Sequence, residues 1–132
     1  MAKLTYFVLS ENYIFTDGKA TLVNVYDTVT TSEFPTAVKG FTISAAIRDV
    51  TEEDLVDGKV HISMIVHNEE GDEFVKIESE QEVAVFPSNV ATSADLGGKF
   101  QFQKEEKFIG KLYVNDNEIG ELAFEVKRVE AE

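Results

Sequence analysis

The strongest constraint on the fold lies near the C-terminus, where residues 107–127 read as a β-hairpin. Leu122, Phe124 and Val126 alternate with small or charged residues. Apolar residues at every second position are typical of a strand with one buried face and one solvent-exposed face. The predicted partner strand is residues 112–114, before a short polar turn. Since an isolated hairpin is only marginally stable in water, the rest of the chain must supply a second apolar surface.

Further runs of alternation at residues 41–48 and 60–67 come with turn signals roughly every ten residues, which is typical of a β-sandwich. The one helical signal is Thr51–Leu55, where Thr51 is a capping residue and Asp54 takes the capping-box position. We therefore predict an all-β, single-domain antiparallel β-sandwich of about eight or nine strands, with a closed barrel as the alternative. The domain spans residues 1–132, and residues 129–132 are expected to be a frayed tail.

Two segments are harder to place from the pattern alone. Residues 20–26 carry apolar side chains on both parities, so we predict a strand that is covered on both faces, either as an interior strand or as a strand beside a crossover. Residues 74–77 and 83–86 are predicted as two short strands on either side of a polar stretch, and residues 87–98 as a loop. Glu78, Glu80 and Glu82 alternate within the polar stretch and are interpreted as guards against edge-to-edge pairing.

Charge and composition exclude several classes of function. The chain has 25 acidic and 12 basic residues and a net charge of −13, whereas nucleic-acid binders normally carry a basic footprint. We therefore expect neither a nucleic-acid nor a membrane partner. The sequence has no cysteine, which excludes disulfides, thiolate metal sites and a cysteine nucleophile. The N-terminal residues carry no signal-peptide or membrane-span pattern, so we expect a soluble, cytoplasmic protein.

The residues with catalytic potential do not form a recognisable site. His61 and His67 share a strand face but are separated by about 20 Å at strand rise, and Ser63 between them has no Gly-x-Ser-x-Gly context. We interpret them as exposed strand residues and expect no enzyme activity and no cofactor.

Two kinds of ligand site remain open at this stage. Asp116, Asn117 and Glu118 at the hairpin tip are oxygen ligands of the type that calcium prefers, although they lack the spacing of a hand-type loop. Solvated turn residues are the alternative interpretation. The tyrosines indicate either a carbohydrate-stacking surface or strand residues at the margin of the core: these are Tyr6, Tyr13, Tyr26 and Tyr113.

One pair of residues on the hairpin is a candidate interaction patch. Tyr113 and Ile119 have the parity of the outer face, and we predict that they are cross-strand neighbours near the turn. They are either covered by another segment or exposed as a small binding patch.

The order of motifs along the chain resembles a family of small uncharacterised bacterial proteins. The motifs are a first strand with Tyr6-Phe7-Val8-Leu9, the turn Asp17-Gly18-Lys19, a strand ending in Tyr26-Asp27, the loop Phe34-Pro35, and a closing hairpin with Tyr113-Val114-Asn115 and Phe124-Glu125-Val126. The resemblance implies an immunoglobulin-like sandwich of unknown function, without catalytic residues. Fold-level likeness by itself does not define function.

From these observations we expect a non-catalytic bacterial or phage protein that binds an unknown protein partner or self-associates, in a structural or accessory role. The alternative is a calcium- or carbohydrate-binding module that uses the loop carboxylates and surface tyrosines.

Overall fold

The computed structural model describes residues 2–130 as two packed β-sheets with one short 3₁₀ turn at Glu52–Asp54. The strands are β1 (Lys3–Thr16), β2 (Lys19–Tyr26), β3 (Thr28–Thr31), β4 (Thr36–Ala37), β5 (Thr42–Val50), β6 (Lys59–Asn68), β7 (Glu73–Glu82), β8 (Ser88–Asp95), β9 (Gln101–Phe102), β10 (Glu106–Val114) and β11 (Asn117–Arg128). The four-stranded sheet has the order β2-β1-β5-β8, and the five-stranded sheet has the order β3-β11-β10-β6-β7. This architecture confirms the predicted all-β sandwich.

The structure has more strands than the predicted eight or nine, because three of its eleven strands are very short. β4 and β9 have two residues each and pair only with each other, and β3 has four residues. β3 also runs parallel to β11, which is an exception to the predicted antiparallel order. The chain crosses between the sheets at Asp27, whose carbonyl oxygen accepts the Glu125 N–H at 3.1 Å, and it therefore enters β3 in the direction of β11.

Two predictions for residues 74–98 were wrong. The first predicted strand and the polar stretch form one continuous strand, β7, whereas the second predicted strand, residues 83–86, lies in a loop. A polar run is compatible with β7 because β7 is an edge strand with one face in solvent. The predicted loop contains β8, which pairs with β5. Its side chains are mostly small and polar, with only Val90 buried, so it shows no apolar alternation.

The predicted C-terminal hairpin and the predicted helical turn are both confirmed. β10 and β11 are joined by Asn115 and Asp116, whose φ values of 48° and 71° are those of a two-residue type I′ turn. Thr51 precedes the 3₁₀ turn, and both its N–H and its hydroxyl donate to the Asp54 carboxylate. Of the predicted frayed tail, residues 131 and 132 lie outside the described residues, whereas Val129 still donates its N–H to Thr31 O at 2.8 Å.

The core lies between the two sheets and is rich in aromatic rings. Phe108 stacks on Phe124 with ring centroids 5.0 Å apart, and Phe41 beside the opposite sheet packs edge-on against Phe124 at 5.9 Å. Gly110 lies where the ring of Phe7 crosses from the other sheet, since a Cβ on this glycine would be 3.3 Å from Phe7 Cζ. These contacts fix how the sheets are placed against each other.

The outer face of the four-stranded sheet is covered as well. Thr42 and Ser44 alternate with the core residues Ile43 and Ala45 and therefore face away from the core, yet they are 3% and 0% exposed. Ser10, opposite Thr42 on β1, is also 0% exposed. The Ser44 hydroxyl has no hydrogen-bond partner among the described residues, whereas the Ser10 hydroxyl donates to the Asn12 carbonyl at 3.0 Å.

This contrast predicts opposite effects of two matched substitutions. Ser44→Ala removes a buried hydroxyl without a partner and should raise the free energy of unfolding by about 1 kcal/mol. Ser10→Ala removes a satisfied hydroxyl and should lower it by about 1 kcal/mol. Urea unfolding of both variants and the wild type measures the difference. Equal destabilisation by the two substitutions would contradict the assignment of Ser44 as unpartnered.

Candidate interaction surface

The β1–β2 ribbon continues past the residues that pair with β5, and this two-stranded part, residues 11–25, is called the arm here. β5 pairs with β1 only from Lys3 to Ser10, while β2 stays paired with β1 as far as Thr16 and Lys19. Beyond Ser10 the ribbon is therefore two-stranded, with β2 as an open edge.

The arm bends at its base. On β1, the Asn12 side-chain oxygen accepts the Tyr13 N–H at 2.8 Å. On β2, Asn24 has a left-handed φ of 52°, and its amide donates to the Glu11 carboxylate at 3.1 Å. The phenol of Tyr13 lies close enough to Tyr6 to influence its ionisation, although seven residues of straight strand span about 23 Å. The bend thus brings Tyr13 onto the covered outer face of the four-stranded sheet.

Exposed apolar side chains are concentrated on the arm. Ile14 is 47% exposed, Phe15 56% and Val25 55%, and Phe15 stacks on Tyr13 with ring centroids 6.3 Å apart. The other large hydrophobic residues with comparable exposure in the described part of the chain are scattered: Val56, Val85 and Val129. A group of exposed apolar residues on one element is typical of a surface that contacts a partner.

Two tyrosines with raised pKa values lie near the base of the arm. The Tyr26 hydroxyl donates to the Gly40 carbonyl at 2.6 Å, and burial, followed by the nearby Glu11 carboxylate, raises the pKa of Tyr26 to about 12. Burial, followed by the neighbouring Tyr13, raises the pKa of Tyr6 to about 12. Both phenols are therefore held in their neutral form by the folded structure.

These pKa shifts predict a loss of stability in strong base. The pKa of tyrosine is about 10 in an unfolded chain, so the folded state retains the protons to higher pH and its contribution is complete below pH 10. The free energy of unfolding should fall as the pH rises from about 10 to about 12. Unfolding curves and the ultraviolet absorbance of phenolate measure this, and Tyr6→Phe combined with Tyr26→Phe should reduce the slope. Complete ionisation of the folded protein near pH 10 would contradict the prediction.

The structure places the histidines on the outer face of the five-stranded sheet. His61 Nδ1 lies 3.1 Å from Glu80 Oε1 on the neighbouring strand β7, beside an open groove of about 430 Å³ that Ser63, Glu78 and Asp116 also line. In the described part of the chain no hydrogen bond joins Ser63 to His61. His67 is at the far end of β6, where its Nδ1 lies 3.1 Å from the Asn68 carbonyl oxygen. The groove thus contains a histidine–carboxylate pair without an activated hydroxyl.

The predicted calcium ligands lie at the tip of the β10–β11 hairpin but do not converge. Glu118 is ion-paired with Lys111 at 3.3 Å, and Asp116 and Asn117 are exposed. Within residues 2–130, no group of three or more histidine, cysteine, aspartate or glutamate side chains is arranged to hold a metal ion.

A β-bulge separates the two residues of the predicted patch. Tyr113 pairs with Glu118 and Leu112 pairs with Gly120, so Ile119 is the extra residue between them. The prediction that Tyr113 and Ile119 are cross-strand neighbours was therefore wrong. Ile119 packs against the core, while Tyr113 stays on the outer face opposite Ser63.

A small cavity of about 280 Å³ beneath the hairpin tip is bordered by a structural carboxylate, Asp54. Asp54 is 7% exposed, and its carboxylate accepts hydrogen bonds from the Ala2 N–H at 3.1 Å and the Thr51 N–H at 2.9 Å. Its carbonyl oxygen accepts the side-chain amide of Asn115, whose own oxygen accepts the His61 N–H at 3.2 Å. The polar groups here connect the N-terminal strand, the 3₁₀ turn and the hairpin tip to one another.

Removing the Asp54 carboxylate should therefore destabilise the fold. Asp54→Ala leaves two backbone N–H groups without their acceptor, and the free energy of unfolding should fall by about 3 kcal/mol. Glu52→Ala, in the same turn but exposed, is the control and should change it by less than about 0.5 kcal/mol. Chemical unfolding measures both, and equal effects would exclude the connecting role of Asp54.

The sequence pattern of residues 20–26 did not indicate an exposed arm. Apolar residues on both parities predicted a strand covered on both faces, whereas β2 is an edge strand with Val25 largely exposed. The run Tyr13-Ile14-Phe15 beside the turn at Asp17-Gly18 was the signal that could have indicated a hairpin extending from the sheet. By contrast, β7 with its alternating glutamates lies at an edge, as their interpretation as guards requires.

Two packed sheets of mostly antiparallel strands define the class of this protein as an immunoglobulin-like β-sandwich. Residues 5–127 match DUF6941, a family of unknown function. The chain belongs to this family, which confirms the predicted resemblance to uncharacterised proteins.

Solved structures give more distant similarities. An immunoglobulin-like protein from Pseudomonas aeruginosa is 12% identical, with a TM-score of 0.42, and the match covers 96% of this chain and 97% of that protein. A Pseudomonas fluorescens alkylpurine DNA glycosylase, AlkC, bound to DNA containing an abasic site analogue, is 8% identical with a TM-score of 0.49. That match covers 96% of this chain but only 30% of the glycosylase.

Among curated proteins, none matches the sequence. The described residues contain no helix that is long and apolar enough to cross a membrane.

Proposed function

We propose that this protein is a non-catalytic binding module whose contact surface for a protein partner is the arm. The observation that carries this proposal is the group of exposed apolar side chains there, namely Ile14, Phe15 and Val25. They lie on a two-stranded ribbon that is unpaired on its β2 side, so both side chains and backbone are available to a partner.

The energetic argument favours binding over a purely structural role for these residues. Complete burial of an isoleucine or phenylalanine side chain contributes about 1.5–3 kcal/mol each, and a few such anchors dominate typical interfaces. The rings of Tyr13 and Phe15 are already stacked in the free protein, which lowers the entropy lost on binding.

The charge distribution supports a protein partner that meets the arm. The net charge is −13, but within residues 11–25 the charged residues are only Glu11, Asp17 and Lys19. A weakly charged apolar arm on an acidic body directs association to the arm and keeps other surfaces apart. The same charge disfavours nucleic acid and anionic lipid, and a cytoplasmic location remains part of the proposal.

The calcium- and carbohydrate-binding alternative gains no specific support from the geometry. Glu118 is neutralised by Lys111, and the hydroxyl of Tyr26 is engaged with Gly40. Of the tyrosines, Tyr113 alone lies on the outer face of the five-stranded sheet, so these residues do not form one stacking platform.

The proposal predicts that arm variants lose a partner without losing the fold. Tagged wild-type protein should retain a specific protein on affinity capture from its native cell, and Ile14→Ser combined with Phe15→Ser should retain at least tenfold less, since two apolar anchors are lost. The control is Val85→Ser, which alters a residue that is 73% exposed outside the arm and should leave capture unchanged. Thermal unfolding verifies that all variants are folded. Undiminished capture by the arm variant would exclude the arm as the contact surface.

A further inference from the structure

The edge strands of the sandwich differ in how well they are protected. In the described part of the chain the four-stranded and five-stranded sheets end in β2, β8, β3 and β7. β7 presents Glu78, Glu80 and Glu82 along its edge, β3 has only four residues, and β8 has an irregular register with β5. Charges, shortness and irregularity are the devices that prevent edge-to-edge pairing.

β2 is neither short nor rich in charge, and its one irregularity is the left-handed Asn24 at the bend of the arm. It is eight residues long, contains no acidic residue between Lys19 and Tyr26, and keeps a constant register with β1 from Leu9 to Thr16. Its side chains are half-buried or exposed. An open edge of this length without carboxylates is a template for another strand.

The charges at the two ends of β2 select the partner strand. Lys19 is the only charged residue in β2, and the next charged residue is Asp27, immediately after the strand. If a second β2 runs antiparallel about an axis at Val23, Thr21 is opposite Val25. Lys19 of each copy then lies at the end of the other β2, beside Asp27 where the chain leaves the strand. This register gives two opposite-charge pairs and a centre of β-branched residues, both favourable cross-strand combinations.

We infer that the β2 edge pairs with the same edge of a second copy of this chain, in antiparallel register centred on Val23. The inference rests on the proposed function, since it names the partner of the arm. A two-fold axis of this kind makes the interface self-complementary and closes it at a dimer, with the four-stranded sheets of two copies joined into one.

The net charge of −13 on each copy does not oppose this contact directly. No carboxylate within β2 would be placed opposite another, and acidic residues on the body are screened beyond about 8 Å at physiological salt. Glu11 lies on β1, where it accepts the amide of Asn24, so it is one strand away from the contact.

A single introduced cysteine tests the register, because the chain has no cysteine of its own. In Val23→Cys the two thiols would face each other across the axis, where opposite residues of an antiparallel pair have Cα atoms about 4.5–5.5 Å apart, within the range of a disulfide. Under mild oxidation we expect a covalent dimer at least tenfold faster than for Val85→Cys, which places a thiol at a residue that is 73% exposed outside the arm.

Charge reversal tests the same register without a covalent bond. Lys19→Asp and Asp27→Lys should each raise the dimer dissociation constant about tenfold, because each places like charges opposite one another twice. The double variant Lys19→Asp/Asp27→Lys should restore it to near the wild-type value. Sedimentation equilibrium measures all four proteins. A wild type that sediments as a monomer, or cross-linking of Val23→Cys no faster than that of Val85→Cys, would overturn the inference.

These outcomes separate the inference from the proposed function. If the variant with Ile14→Ser and Phe15→Ser loses a captured protein while Val23→Cys does not cross-link, the arm binds a different protein and only the self-pairing is wrong. If Val23→Cys cross-links but the charge swap does not restore association, the register centred on Val23 is wrong.

Discussion

The bend in β1 at residues 10–12 is the constraint on which the exposed part of this structure depends. Before the bend, β1 pairs with β5, and only Leu9 and Ser10 lie between β5 and β2. After the bend, β1 pairs with β2 alone. The fully buried Ser10 hydroxyl holds the Asn12 carbonyl, and Asn24 on the opposite strand adopts the left-handed conformation that an asparagine tolerates. A local turn of the ribbon therefore separates a core strand from an apolar arm, and it brings Tyr13 back towards Tyr6 on the covered face.

The sandwich itself was predictable because burial on one face leaves a period of two in the sequence. Met64 on β6 and Phe124 on β11 are buried, and both lie in runs whose alternation indicated a strand. β8 was not predictable in this way, because its place beside β5 depends on backbone pairing that small polar side chains permit but do not specify. For β2, apolar residues on both parities fit a strand that is covered by the protein as well as a strand left open for a partner. The sequence pattern does not distinguish between the two.

The hairpin tip shows why the candidate site was only partly predictable. Counting parity from Leu112 to Ile119 assumes a register without interruption, but the bulge pairs Tyr113 with Glu118 and turns Ile119 towards the core. The next residue, Gly120, lies so close to β1 that a Cβ would come within 2.5 Å of Leu4 Cδ2. This long-range contact between the first and last strands fits a glycine, but the residues around Ile119 do not predict the contact. The local sequence predicted the turn, and tertiary packing determined the register.

The contrast between edge strands connects the fold to the function. With 25 acidic residues in the chain, an eight-residue edge strand without any carboxylate stands apart from β7, where glutamates occupy alternate positions. If the acidic charge served solubility alone, β2 would need it most, because β2 combines an open backbone edge with exposed apolar neighbours. Glutamates along β7 and none along β2 are what the proposed binding role of the arm requires, with one edge kept from pairing and the other left open to a partner.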